Sequence, residues 1–525
     1  MVAFRRVSIV LAVVLAAAAV RGTVRMPVAQ AVTQTPSTTG VPGAPPFDVR
    51  ERSIPDLQRA METGRVSSVE LVRRYFERID AYDDKGPGLN ALISRNPRAL
   101  DEAIALDAER RERGSRGPLH GIPILVKDNF EVSGLPMTGG SLAFEGYIAP
   151  RDAFAIAKLR AAGAVILGKT NLHELAYGIT SISSLGGQTR NPYDPTRNPG
   201  GSSGGTGAAV AASFAAAGMG TDTCGSIRIP SAHNNLFGLR GTQGLVSRGG
   251  IIPLSNTQDI GGPLARTVTD LAIMLDAVVG LDPNDDATRE SEGRLPRTFL
   301  GVIGESSLRG MRIAPVRALF GNAPEDAEVA AVVQSALEWL PRLGAEVVDA
   351  EMPDLQMLLQ GTSLINFEFK FNLLDYLAAH PGAPVHSLAD ILASGRYHPA
   401  VDGVFKRAES VAARESDAYH QALDRRKALR AAVLAFMDEH KLDALAYPTL
   451  RRKAAVIGEG QGGSNCQLSP ATDLPALSMP AGFTADGLPV GVELLGRPWR
   501  DGQLLTIAYA YEQAARPRRP PAQTP

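Results

Sequence analysis

Short apolar runs, each ending in glycine, proline or a polar turn, recur between helical stretches along most of this chain. That alternation constrains the fold more than any other feature. Ile122–Val126 and Ala164–Leu167 are the clearest runs, and Ala215–Met219 follows. Ile313–Val316, Ala345–Val348, Ala444–Tyr447, Ala476–Pro480 and Val490–Leu495 continue the series. Runs of four to six apolar residues are too short for buried helices and too continuous for a half-exposed strand. They fit strands covered on both faces, so the spacing predicts an α/β fold with a largely buried sheet. Between the runs, Leu57, Met61, Val69, Leu71, Val72, Tyr75 and Ile79 recur at helical spacing across Ile54–Ala81, with Ser67 or Ser68 as an N-cap. Pro97–Arg113 is a further helix with a charged outer face, and residues 354–441 are mostly helical, either as a cap over a site or as scaffold.

The ends have a different texture. Residues 1–31 carry two early arginines, an apolar stretch from Val7 to Val20 and a small-residue site at Ala29-Gln30-Ala31, the pattern of an export signal. Residues 32–47, with Thr33 to Pro46 rich in Pro, Gly, Ser and Thr, read as a linker. Residues 48–516 read as one large domain, and 517–525 as a Pro-rich tail. The expected location is secreted or periplasmic. A formal net charge of −1 gives no reason to expect nucleic acid or an anionic membrane surface as a partner. Two cysteines so far apart in sequence, Cys224 and Cys466, make no disulfide framework and are read as free thiols.

The chemistry concentrates in Gly200-Gly-Ser-Ser-Gly-Gly205 and Asp222-Thr-Cys-Gly-Ser-Ile-Arg-Ile-Pro230. The first is no flexible linker, because the Ala-rich helix Thr206–Ala217 follows at once. A glycine loop that opens a helix lets the backbone approach closely and aims N–H groups at an anion. Gly200 to Gly204 fits the G-x-S-x-G elbow, but the turn-rich Arg190–Pro199 precedes it where that motif needs a strand. Gly163 to Thr170 fits the P-loop expression, but the strand lies between the glycines, so no phosphate site is expected. The eight histidines show no metal spacing and none stands out as a base. A lysine held neutral can activate a serine instead. Lys127, directly after the apolar run Ile122–Val126, is placed where burial would lower its pKa.

Together these segments resemble the amidase signature family. The match rests on Gly121-Ile-Pro-Ile-Leu-Val-Lys-Asp-Asn129, Gly168-Lys-Thr-Asn171, the Gly200 and Asp222 segments, Gly238-Leu239 and Gly487-Leu-Pro-Val-Gly491. Gly117-Pro-Leu-His-Gly121, Gly187-Gln-Thr-Arg-Asn-Pro192 and Ala508-Tyr-Ala-Tyr-Glu-Gln513 carry a particular likeness to secreted bacterial peptide amidases. The resemblance implies one large α/β/α domain with a central mixed sheet. It implies Lys127 as base, Ser202 as bridging serine after a cis peptide bond, and Ser226 as nucleophile. Backbone N–H groups of Thr223, Cys224, Gly225 and Ser226 would form the oxyanion hole, with no cofactor and no metal. The expected activity is hydrolysis of carboxamide C–N bonds in small-molecule or peptide amides, by a monomer or homodimer whose mature chain needs no membrane. The alternatives are an amidotransferase A-type subunit, an aryl or fatty-acid amide hydrolase, and a catalytically dead binding protein on the same scaffold. Where relatives carry Gly-Gly-Ser this chain has Cys224-Gly225-Ser226. Cys224 is read as a small-residue replacement rather than a nucleophile, since no base stands near it in sequence.

Overall fold

The computed structural model describes residues 46–304 and 307–525. The export signal of residues 1–31 and nearly all of the linker of residues 32–47 lie outside them. Eleven strands form one sheet: β1 Leu92–Arg95, β2 Pro123–Lys127, β3 Val165–Thr170, β4 Ala217–Asp222, β5 Phe237–Arg240, β6 Ile260–Ala265, β7 Arg312–Pro315, β8 Glu346–Val347, β9 Ala444–Pro448, β10 Ala476–Phe483 and β11 Pro489–Gly496. Their spatial order is β1-β3-β2-β4-β6-β5-β10-β11-β9-β7-β8. The triplet β3-β2-β4 is parallel, β6, β5, β10 and β11 run antiparallel through the middle, and β9-β7-β8 is parallel again. Helices flank this mixed sheet, which is the α/β arrangement the apolar runs predict. Strands β2, β3, β4 and β6 are buried along their whole length, as strands covered on both faces must be.

The helical readings hold with shifted limits, except that the Ala-rich helix read over Thr206–Ala217 spans only Gly204–Ala211, because Ala217 already opens β4. Ile54–Ala81 divides into Ile54–Glu62 and Ser68–Tyr82, capped by Ser53 and Ser67, each hydroxyl accepting from the N–H three residues on. The 354–441 segment contains helices Ile365–Ala378, Leu388–Ser394, Asp402–Glu409 and Asp417–Glu439. The first three bury their own apolar core, through Phe369, Leu373, Ile391 and Phe405, against Met137, Phe144, Leu175 and Leu254. Met137 and Phe144 follow β2, Leu175 follows β3 and Leu254 precedes β6, so the segment packs on the connections that follow Lys127 and Thr170 and on the one that leads to Asp259.

The Pro-rich tail is held in place. Residues 517–525 are polar, yet they pack back on the domain. Arg518 forms an ion pair with Glu51 at 2.8 Å and donates to Tyr193 Oη at 2.8 Å and to the Ala211 carbonyl at 2.8 Å. Arg78 donates to the Thr524 carbonyl at 2.9 Å. Charge and hydrogen bonding, not hydrophobic pattern, fix this segment, which is why composition alone says little about where it goes.

The cysteines are a correction. Cys224 and Cys466 are joined in a disulfide across 242 residues, with Cα atoms 5.0 Å apart, and no free cysteine remains. The pairing is tertiary: Cys466 precedes the short helix Leu468–Thr472, which the sheet brings beside the loop after β4.

Candidate active site

Strands β2 and β4 are parallel neighbours in register Val126↔Met219, so Lys127 ends one strand one residue short of Thr221 on the other, which runs on to Asp222. Carboxyl ends of parallel strands are where loops of an open α/β sheet build sites. Lys127 is completely buried, and its Nζ lies 2.8 Å from Ser202 Oγ and 2.7 Å from Thr221 Oγ1. Asn129 Nδ2 donates to the same Thr221 oxygen at 3.0 Å. Burial pulls the Lys127 pKa down to about 7, against the upward pull of Asp259 and Asp222. Lys169, the other lysine of the motifs, is a useful contrast. It is equally buried but donates to Asp128 Oδ1 at 2.9 Å, to the Phe130 carbonyl at 2.8 Å and to the Pro136 carbonyl at 3.0 Å. Its three protons are all used, so it is a structural cation. Lys127 touches hydroxyls and no carboxylate among the described residues, the setting in which an amine loses its proton.

Ser202 sits in the glycine loop between β3 and the helix Gly204–Ala211, and the Gly201–Ser202 peptide bond is cis. That helix starts hard against the sheet. A Cβ on Gly205 would stand 2.3 Å from the Asn171 carbonyl oxygen and 2.5 Å from that of Ala91, so only glycine fits. The Ser202 carbonyl accepts from His173 N–H at 3.0 Å. Ser203 N–H donates to the Ser226 carbonyl at 3.1 Å, which ties the two serine loops together at backbone level. Ser226 Oγ itself makes no hydrogen bond among the described residues. Its hydroxyl is free to meet a reaction partner.

Ser226 stands in the loop between β4 and the helix Arg228–His233, and Asp222 shapes that loop. Its carboxylate accepts from Gly225 N–H at 2.8 Å, from Ile227 N–H at 3.1 Å and from the Arg228 guanidinium at 3.0 and 3.1 Å. Burial alone would raise the Asp222 carboxyl, but Arg228 and Arg240 hold it well below the usual carboxylate range. Arg228 also pairs with the buried Glu493, which Tyr447 Oη reaches at 2.7 Å. The loop is therefore pinned by a buried charge cluster. One consequence narrows the expected oxyanion hole: Gly225 N–H is spent on Asp222. The N–H groups of Thr223, Cys224 and Ser226 have no intramolecular acceptor among the described residues.

Thr223 Oγ1 donates to Asp259 Oδ1 at 2.5 Å, and Asp259 Oδ2 accepts from Leu254 and Ser255 N–H at 2.8 and 3.0 Å. Ser255 Oγ continues to Glu368 at 2.6 Å, on the helix Ile365–Ala378. A hydrogen-bonded chain thus links the Ser226 loop to the helical segment above it. Sequence reasoning assigned no role to Thr221, Asp222 or Asp259. The only signal available was adjacency for the first two, since Asp222 opens the segment that holds Ser226 and Thr221 precedes it.

His173, whose backbone N–H meets the Ser202 carbonyl, brings an imidazole to the site. Its Nδ1 accepts from Thr180 N–H at 3.2 Å, and burial drives its pKa down to about 3, so it stays neutral. Cys224 is no thiol nucleophile, because its sulfur is bonded to Cys466.

A buried lysine, two serines on glycine loops and a row of free amide N–H groups, at the carboxyl edge of a mixed sheet, define an enzyme of amide bonds. The family model Amidase matches residues 70–505. The X-ray structure of native peptide amidase from Stenotrophomonas maltophilia superposes with a TM-score of 0.85 at 39% identity, covering 91% of this chain and all (100%) of that one. An amidase family protein from Bacillus anthracis superposes with a TM-score of 0.80 at 30% identity, covering 90% of this chain and 92% of that one. Among curated proteins, the A-type subunit of glutamyl-tRNA(Gln) amidotransferase from Synechococcus sp. is 36% identical over 486 residues, which are 89% of this chain and 93% of that one. This chain belongs to the amidase family.

Proposed function

We propose that the protein is an exported amidase that hydrolyses the C–N bond of primary carboxamides, with C-terminal peptide amides as its substrate class, through an acyl-enzyme on Ser226. The observation that carries the mechanism is a fully buried lysine 2.8 Å from Ser202 Oγ with no carboxylate partner among the described residues. Neutral Lys127 keeps one N–H on Thr221 and presents its lone pair to the Ser202 hydroxyl. Ser202 passes its proton to Lys127 as it takes the proton of Ser226. Ser226 Oγ attacks the amide carbonyl, and the tetrahedral oxyanion takes N–H bonds from the Thr223, Cys224 and Ser226 backbone. Collapse expels ammonia, which carries away a proton returned through Ser202. Water then attacks the ester by the same relay, releasing the acid and free Ser226. Each oxyanion donor is worth roughly 3–4 kcal/mol in such a state.

Peptide amides are favoured because the 39% identical peptide amidase spans its whole length on this chain. Export is supported by the disulfide, a bond that persists in oxidising compartments. The likeness to A-type amidotransferase subunits supports a second reading, in which the chain releases ammonia from glutamine beside partner chains. The experiment is to assay the purified chain alone for ammonia release from a C-terminal dipeptide amide and from free glutamine. The proposal expects turnover of the peptide amide without any partner. Release from glutamine alone, and only with partner subunits added, would favour the second reading.

A further inference from the structure

Resting on Ser226 as nucleophile and on the N–H groups beside it as oxyanion donors, we infer that the Cys224–Cys466 disulfide is a positioning clamp on the oxyanion loop, and that opening it slows catalysis. The bond joins the residue that supplies one free N–H to the segment on the far side of the loop. That segment is itself anchored. Asn465 Nδ2 donates to the carbonyls of Leu319 and Pro448 at 2.8 and 2.7 Å, and Cys466 N–H donates to Ser464 Oγ at 3.2 Å. The Cys466 carbonyl accepts from Arg228 at 3.0 Å, the same guanidinium that holds Asp222. The loop from Asp222 to Arg228 is thus tied at its carboxylate, at its following arginine and, through sulfur, at residue 224.

Packing shows why the middle of the loop needs that tie. Gly225 has φ +83, and a Cβ there would meet Cys466 Cβ at 2.8 Å. The Cys466 segment therefore lies directly on the backbone beside Cys224. Thr223 is held from the opposite side by Asp259, and Gly225 by Asp222. The described residues give Cys224 no backbone hydrogen bond, so its sulfur is its main restraint. Both cysteines are half-buried, so a small reductant can reach them.

The redox step is ordinary thiol–disulfide exchange. A thiolate of an external dithiol attacks one cysteine sulfur and forms a mixed disulfide. Its second thiol closes on the first, and Cys224 and Cys466 leave as thiols with two electrons and two protons gained. Misplacing a reacting group by about 1 Å costs up to about 100-fold in rate. A loop freed at residue 224 but still held at Asp222, Thr223 and Arg228 should lose about tenfold, inside that limit.

The test is kcat and KM on a peptide amide before and after dithiothreitol, with free thiols counted in the same sample. With two thiols per chain exposed, kcat should fall about tenfold, KM should stay within about twofold, and diamide reoxidation should restore the rate. If the folded protein keeps the bond closed to dithiothreitol, Cys466→Ala, checked for an intact melting transition, should show the same low kcat and no response to dithiol. An unchanged kcat in the reduced enzyme or in that variant overturns the clamp. Ser226→Ala separates this result from the reading beneath it: that variant should be inactive in both redox states, and activity in it would move the nucleophile without bearing on the disulfide.

Discussion

Replacing Lys127 by methionine should abolish turnover and yet stabilise the protein at neutral pH. The side chain is completely buried, and its pKa falls from 10.5 to about 7. In the unfolded chain the amine is protonated until about pH 10.4, so between the two values the unfolded state holds the extra proton. Stability then rises with pH across that window, and the penalty is fully present below pH 7. Three and a half pKa units correspond to about 5 kcal/mol. Methionine removes that penalty but forfeits the contacts with Ser202 and Thr221, each worth about 1 kcal/mol. The net expectation is a gain of about 3 kcal/mol at pH 7 that falls to about zero near pH 9, where the remaining penalty equals the lost contacts, and becomes a loss of about 1.5–2 kcal/mol by pH 10.5. Urea unfolding of wild type and Lys127→Met at pH 7, 9 and 10.5 measures it, through the midpoint at constant m. The sign decides the matter. A charged Lys127 paired with Asp259 or Asp222 would make the substitution destabilising by about 3–5 kcal/mol, as removal of one partner from a buried pair does. A Lys127→Met variant less stable than wild type at pH 7 would refute the neutral amine.

Other substitutions test the surroundings. Asp222→Asn should cost about 3–5 kcal/mol, since it leaves Arg228 and Arg240 buried without their shared carboxylate; thermal unfolding reads it. Because the Asp222 carboxyl is lowered, its stabilisation is present above pH 3.8 and is lost as pH falls through the folded value, so the variant should flatten the acid limb of the stability curve. The His380 ring nitrogens lie 2.6 Å from the Tyr376 carbonyl and 2.7 Å from Glu131, so the protonated ring can donate to both, and though burial opposes it, the Glu131 bond raises its pKa. That contribution is full below pH 6.5 and fades as pH rises through the raised value, so His380→Gln should remove a loss of stability on the alkaline side of pH 6.5, measured by melting between pH 5 and 9. Deleting residues 517–525 should cost about 2–4 kcal/mol through the hydrogen bonds of Arg518, read in the same urea assay.

The sequence showed the site better than it showed the sheet. Strands β2 and β3 are apolar throughout their visible cores, and Lys127 follows one of them directly, so strand and lysine could be read together. β6 could not. Ile260-Gly-Gly-Pro-Leu-Ala265 has two glycines and a proline, and it is a strand because it is clamped between β4 and β5, where its lost propensity is outweighed by pairing on both sides. The limits of β1 and β5 were hidden for a similar reason, since Leu92–Arg95 and Phe237–Arg240 carry only half an apolar pattern. Ser202 and Ser226 stood out through their glycine-rich loops and through the family resemblance. Thr221 and Asp259 did not, because a threonine at a strand end and an aspartate in a loop are ordinary until the fold sets them beside Lys127 and Thr223. The disulfide is legible only in three dimensions, as two residues 242 apart carry no spacing rule.

The most direct test of the central claim is the rate of covalent labelling by a fluorophosphonate as a function of pH, with the modified residue located by peptide mass spectrometry. The reagent needs an activated serine and no amide substrate, so it reports the nucleophile and its base together. With a base titrating at about 7, only about 1% of the enzyme is competent at pH 5, about 10% at pH 6 and about 90% at pH 8. The account predicts a single adduct on Ser226, a labelling rate that climbs roughly tenfold per pH unit below 7 and levels off above 8, and no limb of that kind in Lys127→Ala. An adduct on another residue, or a rate on Ser226 that is flat from pH 5 to 9, would contradict it.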